Sequence, residues 1–198
     1  MKKGLLIALS LSLALAGWNL AWAQDFYVIP VTKANYAPVP KTGQTNPSDT
    51  GTDGALQKGV AWPNPRFIDN GNGTVTDKLT GLIWMQQASS LGQKNWGDAL
   101  SAANGLASDS YGLADGSKAG DWRLPNAREL QSLVDYGRYG PALPAPNPFT
   151  AVQSAAYWSS TTYASDADAA WLVDFNGGVE YYNGKSYAGY VWCVRGGK

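Results

Sequence analysis

The residues best suited to ligand chemistry lie in one stretch near the C-terminus, residues 174–190. The stretch is rich in tyrosine and glycine and also contains two asparagines and one serine. Antibody paratopes favour this mixture, because tyrosine offers rigid amphipathic area while serine and asparagine adapt their hydrogen bonds. Turns between strands need similar residues, so composition alone leaves recognition and simple turn formation both open. The side chains predicted to contact a ligand are polar or aromatic: Asp174, Asn176, Glu180, Tyr182, Asn183, Lys185, Tyr187 and Tyr190.

Two carboxylates in this stretch, Asp174 and Glu180, raise the alternative of a hydrolase. Glycoside hydrolases place two such groups on either side of the bond that they cleave. Both residues are expected on neighbouring strands, but no wider catalytic motif accompanies them. We therefore predict that the protein is not an enzyme.

Composition excludes chemistry that depends on histidine or on paired cysteines. Histidine is absent and Cys193 is the only cysteine, which rules out a histidine base, a histidine metal ligand and an internal disulfide. Oxygen donors cluster at Asp69, Asn70, Asn72 and Asp77, but the segment lacks the ligand order and the terminal bidentate glutamate of an EF-hand. Asn-Gly turn chemistry explains the cluster more simply. We predict no metal and no cofactor.

Residues 1–23 have the pattern of a secretory signal peptide. Lys2 and Lys3 precede an apolar run from Leu5 to Leu15, and Ala21-Trp22-Ala23 forms a small-x-small cleavage pattern. We therefore predict export to the periplasm, the cell surface or the extracellular space. No later stretch is long and apolar enough to span a bilayer, and we predict no membrane span.

The charge of the exported chain argues against nucleic acid as a partner. Removal of Lys2 and Lys3 reduces the 15 basic residues to 13, against 15 acidic ones. Phosphate backbones are bound by basic patches, and this nearly neutral chain offers no clear excess of basic residues. The oligomeric state is left open.

The elements that must position the candidate residues belong to a domain predicted over residues 66–198. A short strand is predicted over residues 24–32. The segment that follows, up to residue 65, is rich in Pro, Thr, Gly, Asn and Ser and is predicted to be a flexible arm.

Within the domain, short β-rich runs alternate with two helical segments. Asn95 and Asn126 are predicted N-caps, and Glu129 completes a capping box in the second helix, which is expected to end at Gly137. The order of the segments predicts an α+β fold with a mainly antiparallel sheet, two helices and long loops. The β segments are predicted at residues 66–69, 74–77, 82–85, 122–124, 156–160, 169–176, 179–182 and 190–195.

Alternation along residues 171–176 predicts which side chains face the core. Trp171, Val173 and Phe175 are expected to point inward. The alternate residues Leu172, Asp174 and Asn176 are then expected to point outward. Four further tryptophans within β segments are expected in the core: Trp84, Trp122, Trp158 and Trp192.

Five strings of residues stand out along the domain: FIDNGNGTVTD at 67–77, LTGLIW at 79–84, DWRLPN at 121–126, YWSS at 157–160 and YVWCVRGG at 190–197. Together they resemble the Lcl C-terminal domain family, named for the C-terminal domain of a bacterial collagen-like adhesin. The resemblance covers residues 66–197. It implies a C-type-lectin-like fold in a secreted or surface-attached protein, in a family whose adhesin member binds sulfated glycans and whose other members serve as variable receptors.

Two departures from the relatives limit what the resemblance implies. The chain has no Gly-X-Y collagen repeat, and the related copper-dependent enzymes use a cysteine pair where this chain has a single cysteine. We therefore predict an exported, non-catalytic recognition module that binds a glycan or protein ligand through its C-terminal hairpins. The alternative is a structural component of the cell envelope or of a secreted assembly, with the arm over residues 24–65 as the docking part.

Overall fold

The computed structural model describes residues 39–196. The predicted signal peptide and the predicted strand over residues 24–32 lie outside the described residues. Within the described range the chain forms three helices and nine strands. In chain order they are α1 (Asp53–Leu56), β1 (Phe67–Asp69), β2 (Thr74–Asp77), β3 (Ile83–Met85), β4 (Gln93–Lys94), α2 (Trp96–Asn104), α3 (Ala127–Gln131), β5 (Ala156–Thr162), β6 (Ala169–Asp174), β7 (Val179–Gly184), β8 (Gly189–Tyr190) and β9 (Val194–Arg195).

The strands form two sheets, ordered β1-β2-β3-β9 and β4-β8-β5-β6-β7. Neighbouring strands are antiparallel except β5 and β8, which are parallel. The predicted α+β class with mainly antiparallel strands is therefore confirmed. In the second sheet, β7 is the edge strand next to β6.

The turn between β1 and β2 forms as the Asn-Gly pairs predicted. Gly71 and Gly73 have φ values of +71° and +80°, a region that side-chain-bearing residues rarely adopt. Asp69 Oδ1 accepts the N–H of Gly71 at 2.8 Å, and Asn72 Oδ1 accepts the hydroxyl of Thr74 at 2.7 Å. These oxygens therefore accept hydrogen bonds within the turn. Among residues 39–196 no group of three Cys, Asp or Glu side chains is placed to hold one.

The C-terminal strand predicted over residues 190–195 is instead two short strands in different sheets. β8 joins the second sheet and β9 joins the first. The residues between them, Val191, Trp192 and Cys193, are almost completely buried. The single-strand prediction was wrong because these three residues fill the core where the chain passes from one sheet to the other.

Both predicted N-caps are present. The Asn95 side chain accepts the N–H of Asp98 at the start of α2, and Asn126 and Glu129 form the capping box of α3. The second helix ends at Gln131, however, and not near Gly137. The helical ladder stops because the N–H groups of Leu133 and Val134 donate to carbonyls three residues back, and the N–H of Tyr136 donates to the carbonyl of Thr42 at 2.9 Å.

The described part of the segment before the domain, residues 39–65, makes contacts within itself and with the domain. Pro40 and Val60 form a parallel bridge, and the Trp62 indole N–H donates to the carbonyl of Lys41 at 2.9 Å. The Arg66 guanidinium lies over the Trp62 ring, 5.0 Å from its centroid. These contacts tie the segment to the first strand of the domain, and short-range composition could not reveal them.

The four tryptophans predicted in the core are all fully buried: Trp84, Trp122, Trp158 and Trp192. The Trp192 ring lies 5.7 Å from that of Trp84 and 5.5 Å from that of Tyr157. Trp84 belongs to the first sheet and Tyr157 to the second. Aromatic packing around Trp192 therefore joins the two sheets.

One buried ion pair stabilises the start of the domain. Arg66 Nε and Nη2 donate to the Asp77 carboxylate at 3.0 and 2.9 Å, and Nη2 also donates to the carbonyl of Ser132 at 2.6 Å. The Asp77 side chain is fully buried and the Arg66 side chain nearly so. Such a pair is costly to break, because the remaining charge stays in the interior without its partner.

Candidate functional site

The β6–β7 hairpin carries most of the predicted ligand residues, and it presents them on two opposite faces. Residues directly opposite each other in an antiparallel pair share a face. Trp171 lies opposite Tyr182 and Val173 opposite Glu180; we call this the first face. Leu172 lies opposite Tyr181, Ala170 opposite Asn183 and Asp174 opposite Val179; this is the second face.

The predicted orientations of Leu172 and Trp171 were wrong. Leu172 and Val173 are consecutive, and both are 0% exposed. Both faces of the sheet are therefore covered at this point, whereas simple alternation assumes that one face meets solvent. Trp171, the third residue of β6, is only partly buried. Val173 and Phe175 are buried as predicted.

Three aromatic rings pack together on the first face and form what we call the aromatic patch: Tyr163, Trp171 and Tyr182. Tyr163 and Tyr182 are stacked, with centroids 4.0 Å apart and planes 6° apart. Trp171 meets both rings edge-on, at 5.5 and 5.8 Å. Tyr182 is 50% exposed. The patch is thus a preorganised aromatic surface that solvent can reach.

Sequence inspection missed Tyr163 and assigned Trp171 to the core. Tyr163 immediately follows β5 and lies outside the candidate stretch, residues 174–190. Its place next to Tyr182 depends on the pairing of three strands. A tyrosine at the end of a predicted neighbouring strand was the only available signal.

The second face carries a smaller group made of Asp174, Tyr181 and Tyr187. Burial raises the pKa of the Tyr181 hydroxyl to about 12, and the nearby Tyr187 hydroxyl and Asp174 carboxylate act in the same direction. Tyr181 therefore remains a neutral hydrogen-bond donor at physiological pH. Tyr187 packs edge-on against Trp158, with centroids 6.1 Å apart.

The Lys185 side chain contacts other residues of the domain. Its ammonium group lies 3.9 Å from the centroid of the Trp96 ring. It also donates to the carbonyl of Ala167 at 2.7 Å and to the Thr162 hydroxyl at 3.2 Å. Lys185 thus fastens the end of β7 to the start of α2.

Three other predicted residues also make local contacts. Tyr190 is partly buried, with its ring 5.4 Å from that of Tyr157. Asn183 Oδ1 accepts the N–H of Gly184 at 2.8 Å. Asn176 is exposed in the turn, and its backbone N–H donates to Asp174 Oδ1 at 2.8 Å.

The eight predicted residues therefore do not form one surface. Glu180 and Tyr182 lie together on the first face. Asp174 and Asn183 lie on the second face, and Tyr187 is close to Asp174 through Tyr181. Because Asp174 and Glu180 project from opposite faces, they cannot flank one bond as the carboxylates of a glycoside hydrolase do.

A separate cleft of about 530 Å³ lies between the segment before the domain and the loop that follows α3. Its lining includes the Trp62 ring and the charged residues Arg66, Asp135 and Arg138. Arg66 is bound to Asp77, and Arg138 Nε lies 3.5 Å from Asp135 Oδ2. The charges of the cleft are thus largely paired within the protein.

Comparison with protein-family models gives a match to the Lcl C-terminal domain over residues 73–195. The match spans more than half of the 198-residue chain and includes the β6–β7 hairpin and the aromatic patch. No curated protein matches the chain. Across residues 39–196, no helix is long and apolar enough to cross a membrane.

Proposed function

The chain belongs to the Lcl C-terminal domain family, and we propose that it is an exported, non-catalytic recognition module. It binds a glycan or protein ligand through the β6–β7 hairpin, on a domain of C-type-lectin-like fold. Export is supported by the signal-peptide pattern of residues 1–23. The destination is the periplasm, the cell surface or the extracellular space.

The aromatic patch is the observation that carries the proposal. Buried aromatic rings need no special role, but rings that pack rigidly and remain half-exposed offer contact area at little cost in side-chain entropy. Aromatic anchors contribute a large part of the energy of many interfaces. Glu180 lies on the same face as Tyr182 and adds a hydrogen-bond acceptor beside the rings.

A non-catalytic role is supported by the separation of Asp174 and Glu180. The two carboxylates were the acid–base candidates of the hydrolase alternative, and the register between β6 and β7 directs them to opposite faces. The two tyrosines with strongly raised pKa, Tyr157 and Tyr181, owe the shift chiefly to burial. Burial of this kind accompanies packing as readily as catalysis.

The first experiment identifies the ligand and the face that binds it. The exported protein is screened on a glycan array and in a pull-down from envelope proteins. The strongest hit is then measured against Tyr182→Ala on the first face and Tyr187→Ala on the second. We expect Tyr182→Ala to lose most of the affinity and Tyr187→Ala to retain most of it.

Other results of this experiment would overturn the proposal in distinct ways. If both variants bound the ligand as tightly as the unchanged protein, the hairpin would not be the recognition surface. If only Tyr187→Ala lost affinity for the ligand, the binding site would be on the second face. Turnover of the ligand in the same assay would contradict the non-catalytic role.

A further inference from the structure

Arg66, at the start of the domain, combines two kinds of contact. Its guanidinium donates to the Asp77 carboxylate at 3.0 and 2.9 Å. The guanidinium carbon also lies 4.7 Å from the centroid of the Phe67 ring and 5.0 Å from that of Trp62. A planar guanidinium suits this combination, because it stacks on aromatic rings and donates parallel hydrogen bonds to a carboxylate.

The same combination recurs at Arg195 in β9. Its Nη2 lies 3.2 Å from Asp115 Oδ2, and its guanidinium carbon lies 5.2 Å from the centroid of the Trp122 ring. The domain therefore places an arginine twice where a carboxylate and an aromatic ring lie together.

A third carboxylate lies beside aromatic rings on the first face of the β6–β7 hairpin. Glu180 and Tyr182 are two residues apart on β7, about 6.7 Å along the strand, and Trp171 lies opposite Tyr182. Glu180 is partly buried, yet none of the four ion pairs found within residues 39–196 includes it. Arg128 of α3 lines a cleft beside Pro40 instead. Glu180 is thus a partly buried carboxylate without a cationic partner in the described protein.

The part of the chain that builds the aromatic patch carries an excess of negative charge. Residues 156–190 contain four acidic side chains and one basic side chain, that of Lys185. Asp166 and Asp168 are exposed in the loop that connects Tyr163 to β6. The Lys185 ammonium group is directed to the Trp96 ring, 3.9 Å from its centroid. This charge favours a cationic ligand and opposes an anionic one.

We propose that the aromatic patch and Glu180 bind an arginine side chain of a protein partner. The guanidinium lies on the exposed side of the Tyr182 ring and donates to the Glu180 carboxylate, as Arg66 contacts Phe67 and Asp77. Arginine is favoured over lysine, because an ammonium group neither stacks on a ring as a plane nor donates parallel hydrogen bonds to one carboxylate. The inference rests on the proposed recognition role and restricts the ligand to a protein with an exposed arginine.

The test is an NMR titration of the exported protein at low ionic strength. The probes are three blocked hexapeptides in which glycine alternates with arginine, lysine or glutamine. We expect the arginine peptide to shift the backbone N–H signals of Glu180 and Tyr182 and to bind more tightly than the lysine peptide. The glutamine peptide should not bind, and added salt should weaken the binding of the arginine peptide.

Three variants identify the contacts of the arginine peptide. Glu180→Gln keeps the shape of the side chain and should weaken binding at least about tenfold, the effect of a charge-assisted hydrogen bond. Tyr182→Leu keeps an apolar side chain without the ring and should weaken binding at least about twofold. Asp69→Asn removes one negative charge from an exposed position of the first sheet and should bind like the unchanged protein.

Three outcomes would overturn the inference. Absence of shifts at Glu180 and Tyr182 would show that the aromatic patch binds no arginine. Equal weakening by Glu180→Gln and Asp69→Asn would show that the peptide is attracted only by the overall charge. Equal binding of the lysine and arginine peptides, unaffected by Tyr182→Leu, would show that the rings take no part.

Failure of this inference is distinguishable from failure of the proposed function. If the strongest ligand from the glycan array or the pull-down binds through Tyr182 but is unaffected by Glu180→Gln, the aromatic patch remains the recognition surface and the arginine inference is wrong. If neither that ligand nor the arginine peptide depends on Tyr182, both are wrong.

Discussion

The core around Trp192 and the β6–β7 hairpin use aromatic residues in opposite ways. Around Trp192 the rings are fully buried and join two sheets. In the aromatic patch, the rings of Tyr163, Trp171 and Tyr182 also pack against one another, but Tyr182 is half-exposed. Ring packing alone therefore does not mark a core in this domain. The exposed fraction of a packed ring distinguishes the rings of the framework from those of the candidate recognition surface.

The largest effect is expected from the framework. Asp77→Ala leaves the Arg66 guanidinium buried without its carboxylate, and the free energy of unfolding should fall by about 3–5 kcal/mol. Urea denaturation followed by tryptophan fluorescence measures this change. Asp69→Ala, at an exposed carboxylate at the end of β1, is the control and should cost far less. Equal small effects would mean that the pair contributes little to the framework.

A second change tests the division within the hairpin itself. Leu172→Ala removes a fully buried side chain and should cost about 2–5 kcal/mol by denaturation. Asn176→Ala, in the exposed turn of the same hairpin, should stay within about 0.5 kcal/mol of the unchanged protein. If Leu172→Ala were as mild as Asn176→Ala, the original outward assignment of Leu172 would be right.

An intermediate loss of stability is expected from a change at the start of α3. Asn126→Ala removes the acceptor for the Glu129 N–H and should cost about 1 kcal/mol in thermal or urea unfolding. Ser101→Ala, an exposed position within α2, serves as the comparison and should be nearly neutral. A negligible effect at Asn126 would show that tertiary contacts alone hold the helix start.

Glu129 adds a pH-dependent contribution at the same helix. Burial alone would raise the pKa of Glu129, but hydrogen bonds from Arg123 and Asn126 outweigh it and lower the pKa below its usual value. The stabilisation is therefore present above the unfolded pKa of about 4.3 and is lost as pH falls through the lower folded pKa. Denaturation of the unchanged protein and of Glu129→Gln at several pH values should show their stability difference shrinking toward acid. A difference independent of pH would contradict this assignment.

The features that sequence predicted correctly are those that depend on neighbours in the chain. The Asn-Gly turn, the Asn95 and Asn126 caps and the four buried tryptophans follow from local turn chemistry, capping and hydrophobicity. The predictions that failed depend on distant contacts. The N–H groups of Asp135 and Tyr136 donate to the carbonyls of Ala142 and Thr42 rather than to a helix, and two covered faces bury both Leu172 and Val173.

The candidate site was predicted only in part for the same reason. Tyr182 and Glu180 could be proposed from composition, because the Tyr-rich stretch contains them. Their separation from Asp174 and Asn183 depends on the register of β6 with β7. A shift of one residue in a strand exchanges its two faces, so composition could not assign residues to a common surface.

Tyr182→Ala is expected to change the stability of the domain little and to weaken ligand binding strongly. The decisive measurement is the Kd of Tyr182→Ala for a ligand from the screen, taken with its free energy of unfolding. Tyr111→Ala is the matched control, because Tyr111 is 52% exposed and Tyr182 is 50% exposed. We predict that Tyr111→Ala binds normally and that Tyr182→Ala loses at least about 2 kcal/mol of binding energy, the scale of an interface anchor, while its stability stays close to that of the unchanged protein. Normal binding by Tyr182→Ala, or a loss of stability large enough to explain weaker binding, would contradict the assignment of recognition to the aromatic patch.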